Sequence, residues 1–180
     1  VEGLVYMDLR EFDKAEQAFQ RSLRLNPTDP DANHNYGWYL CNRRSKYAES
    51  QKYFVEAVKN PLYTTPQKSL QQAGICAHKG GDKAAAEDYL RQADRIQPNN
   101  PETLLGLARL VYERGDLAAV RTLLTREAKL GTPSAEALWL NVRIEHKLGN
   151  AEASAGFAKE LRTRFPDSDE ALRLAKGQFD

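Results

Sequence analysis

A chain of 180 residues with 41% hydrophobic and 28% charged side chains carries no compositional sign of several separate cores. Its 26 Lys plus Arg stand against 25 Asp plus Glu, so the broad basic field that holds phosphate backbones is missing and nucleic acid is excluded as a first expectation. No apolar run approaches the roughly 20 residues needed to cross a bilayer, and no signal-peptide core precedes the first residues. The opening "VEGLVYMDLREFDKAEQAF" has neither an initiating Met nor a helix cap and reads as the middle of a helix. Upstream sequence, with any targeting or lipidation signal, is therefore expected outside this chain.

In chain order, residues 1–29 read as a partial repeat, with Gly3, Tyr6, Ala15, Phe19 and Pro27 at helical spacing. Residues 30–63 form the next unit, which opens on "NHNYGWYLCNRR". Here Gly37 is answered by Ser50 and Phe54, one residue later than in the other units, and the corner "NRRSKY" has gained a residue and lost its glycine. "NPLYTTP", residues 60–66, is an irregular linker whose two prolines forbid a continuous helix. Residues 67–100 restore the pattern with Gly74, Ala77, Ala86, Leu90 and Pro98. Residues 101–134 follow with Ala108, Val111, Val120 and Leu124, and residues 135–167 with Val142, Ser154, Ala158 and Pro166. Gly81-Asp82, Gly115-Asp116 and Gly149-Asn150 recur every 34 residues where the helical pattern breaks, because glycine permits a tight corner that other residues resist. Beyond Pro166, residues 168–180 read as a capping helix with Ser168 or Asp167 as its N-cap and Glu170 close behind.

These matching offsets resemble the tetratricopeptide repeat, in which a small residue on the first helix is met by a small and, four positions later, a large residue on the second. The expected fold is all-α: a superhelical solenoid of helix-turn-helix units, a single array over residues 1–180 closed by a C-terminal capping helix.

Chemistry is harder to find. His78 and His146 occupy equivalent places two repeats apart and cannot share a metal or a proton relay, so they read as solvated or groove-lining. "HKGGDKAAAE" does not fit a phosphate loop, and no GxSxG, HExxH or Cys/His cluster occurs. No catalytic residue, metal or cofactor is expected. The two cysteines, Cys41 and Cys76, are too far apart for a CxxC motif; the count leaves inert buried thiols and one disulfide both open. Arrays of this kind act through the exposed side of each first helix, where the sequence places His34 with Trp38, Gln71 with Ile75, Leu105 with Arg109 and Trp139 with Arg143. These pairs lack the Lys and Asn of the cochaperone carboxylate clamp. They offer His34, Trp38, Arg109, Tyr112, Trp139 and Arg143 as partner-binding candidates, rich in hot-spot residue types, although each aromatic could equally be packing filler.

A closer resemblance rests on "NHNYGWYLCNRR", "NPLYTTPQKSLQQAGICAHKGGD" and "LWLNVRIEHKLGN". Together they are similar to the type IV pilus biogenesis and stability proteins called PilW or PilF, whose members carry an N-N-Y-G-W-[FY]-L-C segment, a D-P-x-Y-x-T-P-like linker and a G-I-C segment one repeat later. His34 departs from that pattern by replacing the usual second asparagine. The resemblance implies a noncatalytic factor at the periplasmic face of the outer membrane, a pilotin for secretin assembly or a stabiliser of the pilus. Its partner would be the outer-membrane secretin, engaged through the groove near Trp38, and a lipid anchor absent from this chain would be its one membrane attachment. In that oxidising compartment the resemblance also implies a disulfide between Cys41 and Cys76. A general tetratricopeptide scaffold for another client, and the repeat region of a larger enzyme, are the alternatives.

Overall fold

The computed structural model describes residues 2–179, and among them eleven helices and no strand occur. The all-α arrangement of helical hairpins expected from the 34-residue register is what it contains. Where one array over the whole chain is expected, the chain divides into two compact units, Val1–Pro98 and Asn99–Asp180. The division falls where Pro98 cannot extend the preceding helix and Asn99 takes a left-handed φ of 61°. Each unit has its own buried clusters, which the near-average composition did not disclose.

In the first unit α1 (Glu2–Asp8) pairs with α2 (Phe12–Leu25), α3 (Pro30–Arg44) with α4 (Tyr47–Lys59), and α5 (Pro66–Lys79) with α6 (Lys83–Ile96). The glycines explain how closely these pairs approach. A Cβ on Gly3 would lie 2.6 Å from the Phe19 ring, one on Gly37 3.1 Å from the Phe54 ring, and one on Gly74 2.6 Å from Leu90 Cγ. Each large side chain thus fills the notch that a missing methyl leaves, and Phe54 and Leu90 are fully enclosed as a result. Tyr6 packs beside the buried pair Ala15 and Phe19, and Ala86 is buried under Gly74.

In the second unit α7 (Pro101–Glu113) pairs with α8 (Leu117–Ala128) and α9 (Ala135–Lys147) with α10 (Ala151–Arg164), while α11 (Asp169–Ala175) packs on α9 and α10. Ser168 caps α11 by accepting from the Ala171 amide at 3.1 Å. The corner glycines Gly81, Gly115 and Gly149 take φ of 85°, 86° and 76°. In all three the following amide closes on a carbonyl five residues back, as Asp82 N does on Ala77 O at 2.9 Å. Asp82 and Asp116 then cap the next helix from the Ala85 and Ala119 amides. The glycine-free corner after α3 is one residue wider: Ser45 takes the left-handed region at φ 54° and Lys46 N donates to Leu40 O, six residues back, at 2.9 Å.

Candidate functional site

The aromatic segment of α3 starts from a firm helix end: Asp29 accepts from the Ala32 amide at 2.8 Å and Pro30 occupies the first turn. From there the helical period turns Tyr36, Tyr39 and Leu40 inward onto Phe19 and Ala15. Buried phenols need partners, and Tyr39 donates to the Phe12 carbonyl at 2.8 Å. Burial, helped by the Glu16 carboxylate, pushes the Tyr39 phenol up to about 12. One turn on, Cys41 and Cys76 are joined by a disulfide with Cα atoms 5.9 Å apart, tying α3 to α5. Trp38 is half-buried against the cluster of Cys41, Phe54, Ala73 and Cys76, with the Arg43 guanidinium 5.6 Å over its ring.

His34 sits on the same seam. Its Nδ1 lies 2.8 Å from Ser69 Oγ, which also meets the Tyr63 hydroxyl at 3.1 Å, so one side chain from α3, one from the linker and one from α5 share a hydrogen-bonded node. Burial, with Lys68 adding to it and Asp31 opposing, holds the imidazole below its ordinary range. The linker is fastened at its other end, where the Asn60 side chain donates to Thr28 O at 3.0 Å and accepts from the Leu62 amide at 2.9 Å. His34 is therefore engaged in holding repeats together.

The remaining candidates converge in the second unit. Arg109, Tyr112, Trp139 and Arg143 line one groove of about 410 Å³ together with Lys147 and Arg173. Ser134 caps α9 from the Ala137 amide at 3.1 Å, which places Glu136 in the first turn within reach of the Arg109 guanidinium; the two form a bidentate ion pair. Arg143 stands 4.3 Å over the Tyr112 ring and Lys147 4.8 Å from it, so two cations share one aromatic ring. The Tyr112 hydroxyl is enclosed with no hydrogen-bond partner among the described residues. Between α8 and α9, Arg121 donates to Glu145 at 2.9 and 2.6 Å and holds this buried carboxyl below its usual range.

One expectation is corrected here. Trp139, a contact candidate for which packing filler was the equal alternative, is only 4% exposed, because its ring packs among Leu138, Val142 and Leu161 and stacks on Phe179. It supports the groove and is not itself an exposed contact. Two participants escaped the sequence reading. Glu136 was legible in principle, since a carboxylate in the first turn recurs at the same register as Glu102. Phe179 was not, since it lies past the last periodic helix. Among the described residues no His, Cys, Asp and Glu group could hold a metal ion.

Tetratricopeptide-repeat family models match residues 2–29, 18–52 and 77–129. The crystal structure of PilW, a widely conserved type IV pilus biogenesis factor, superposes with a TM-score of 0.85 at 32% identity, covering 97% of this chain and 80% of that one. A solved structure of Pseudomonas aeruginosa PilF gives a TM-score of 0.86 at 21% identity over 97% of this chain and 78% of its own. By sequence, the type IV pilus assembly protein PilF of Pseudomonas aeruginosa is 22% identical over 154 residues, 86% of this chain, which spans 61% of that relative's length.

Proposed function

The chain belongs to the PilW family of tetratricopeptide-repeat type IV pilus biogenesis proteins, and from that premise we propose that it is a noncatalytic pilotin for the outer-membrane secretin. It holds a segment of the secretin while the subunits reach or assemble in the outer membrane, and so supports the pilus. Its place is the periplasmic face of the outer membrane, with a lipid anchor for attachment. The Cys41–Cys76 disulfide supports an oxidising compartment.

The observation that carries the site is the convergence of Arg109, Tyr112 and Arg143 on one groove of the second unit. Arg and Tyr are the residue types that concentrate binding energy, and here both are held in fixed orientation by neighbours, so little side-chain freedom is lost on docking. Trp38 is a second candidate contact, on the first unit. Capture of the purified secretin by the wild-type chain, weakened about tenfold or more by Arg143→Glu and little changed by Trp38→Phe, is the expected outcome of a binding titration. Equal capture by Arg143→Glu would move the site elsewhere, and no capture by the wild type would remove the secretin as partner.

A further inference from the structure

After α11 the chain reverses through Gly177 at φ 64°, with Gln178 N closing on Arg173 O at 3.1 Å. That turn returns Phe179 to α9. Its ring stacks on His146 with centroids 4.3 Å apart and planes 16° from parallel, and lies 5.8 Å from the Trp139 ring at 29°. Its carbonyl oxygen accepts from Arg143 Nε at 3.1 Å. Two flat rings for the side chain and a guanidinium N–H for the backbone oxygen make up a receptor for one aromatic residue of an extended chain.

The register shows that this seat is not the ordinary packing between repeats. Arg109 and Arg143 are one repeat apart, as are Glu136 and Glu170, and Ser134 and Ser168. By analogy with the Arg109–Glu136 pair, Arg143 should reach Glu170; instead it gives its Nε–H to the Phe179 carbonyl. Phe179 thus diverts a side chain that also stands over Tyr112 in the groove. Its own hold is modest: past the Gly177 turn, two ring contacts and one side-chain hydrogen bond must offset the cost of ordering the segment that carries it.

We propose that the Trp139–His146–Arg143 seat is an aromatic-residue binding site, and that Phe179 is a built-in competitor which an extended partner segment bearing an aromatic side chain displaces. This rests on the proposed role of the adjoining groove in partner binding. Displacement frees Arg143 for the partner's backbone beside Tyr112, so the seat and the groove take one continuous segment.

The test uses N-acetyl-phenylalaninamide, which presents one aromatic side chain between two amide groups, titrated into the 180-residue chain and read by the Trp139 indole N–H and the His146 ring resonances. Phe179→Ala should bind this probe about tenfold more tightly than the wild type, the penalty expected when the seat is filled about nine-tenths of the time. N-acetyl-leucinamide should bind Phe179→Ala more weakly than the aromatic probe does. Equal probe affinity for wild type and Phe179→Ala, or equal affinity for the two probes, would overturn the proposal. So would loss of the cooperative unfolding transition in Phe179→Ala, which would make the ring a structural cap. Probe binding as expected with no secretin captured would keep the seat and remove the secretin; secretin capture without probe binding would do the reverse.

Discussion

The two units solve one packing problem with different means. The first is braced by chemistry that locks: a disulfide from α3 to α5, tyrosines buried with their hydroxyls engaged, and the His34–Ser69–Tyr63 node across an irregular linker. Two of its three corners hold non-glycine residues, Arg10 and Ser45, in the left-handed region. The second unit has glycine at both corners, no cysteine, and a groove in which Arg143 and Lys147 both approach the Tyr112 ring. Strained corners coexist with covalent and hydrogen-bonded bracing, and relaxed corners with ion pairs such as Arg109–Glu136 and Arg121–Glu145. The strongest bracing lies where the register is broken.

The sharpest way to break this contrast is to remove the bridge. The chain has two tryptophans, Trp38 in the first unit and Trp139 in the second, so each unit reports its own unfolding. In the chain-entropy model, closing a loop with a sequence separation of 35 stabilises by about 4 kcal/mol. Cys41→Ser with Cys76→Ser should lower the denaturant midpoint seen by Trp38 far more than that seen by Trp139; equal shifts would erase the division between the units. A thiol titration of the denatured, non-reduced chain should find no free sulfhydryl.

A smaller effect concerns pH, and its sign differs between units. The folded pKa of His34 lies below its unfolded value, so its stabilising share is complete above the unfolded pKa and is lost as pH falls through the folded one. Glu127 in α8 is 6% exposed, one of its carboxylate oxygens has no partner among the described residues, and burial raises its pKa. Its share is therefore complete at low pH and lost as pH rises through the folded pKa. Mild acid should weaken the first unit through His34, whereas Glu127→Gln should raise the stability of the second at neutral pH by on the order of 1 to 2 kcal/mol. An unchanged Trp139 transition in Glu127→Gln, followed across pH 4 to 8, would show that the orphan oxygen is hydrated.

The smallest effects sit at the corners. Ser45→Gly should stabilise the first unit by about 0.5 to 1 kcal/mol, by removing the left-handed penalty of a side chain, and Gly115→Ala should cost the second about 1 kcal/mol. Thermal unfolding of both variants checks the pair. Equal and opposite shifts sharpen the comparison, and a loss from Ser45→Gly would show that the serine corner carries a contact worth more than its strain.

What was legible from sequence follows the same divide. The glycine-to-large-residue fit of Gly3 with Phe19, Gly37 with Phe54 and Gly74 with Leu90 could be read from spacing, because a Cβ at those places would press on the large side chain that faces it. The Cys41–Cys76 pairing was not readable from spacing and came from resemblance alone. Exposure was read less well than register. His34 and Trp139 share the first-helix face with Arg109, yet neighbours outside the periodic pattern, Ser69 next to the linker and Phe179 past the last helix, decide what covers them. Periodicity specifies which face a residue occupies; it carries no information about an aperiodic segment that lies on that face.

The disulfide has a mechanical side as well. Pulled from its two ends, a protein chain lengthens by the contour its folded parts release, at about 3.3 to 3.6 Å per residue. Cys41 and Cys76 remove the residues between them from that reserve, so α4, the linker and most of α5 stay off the load path even after they unfold. With a separation of 35 residues, about 120 Å of extension is withheld. Any tension is then carried straight from α3 to the end of α5 through one covalent bridge, past the most irregular stretch of the molecule.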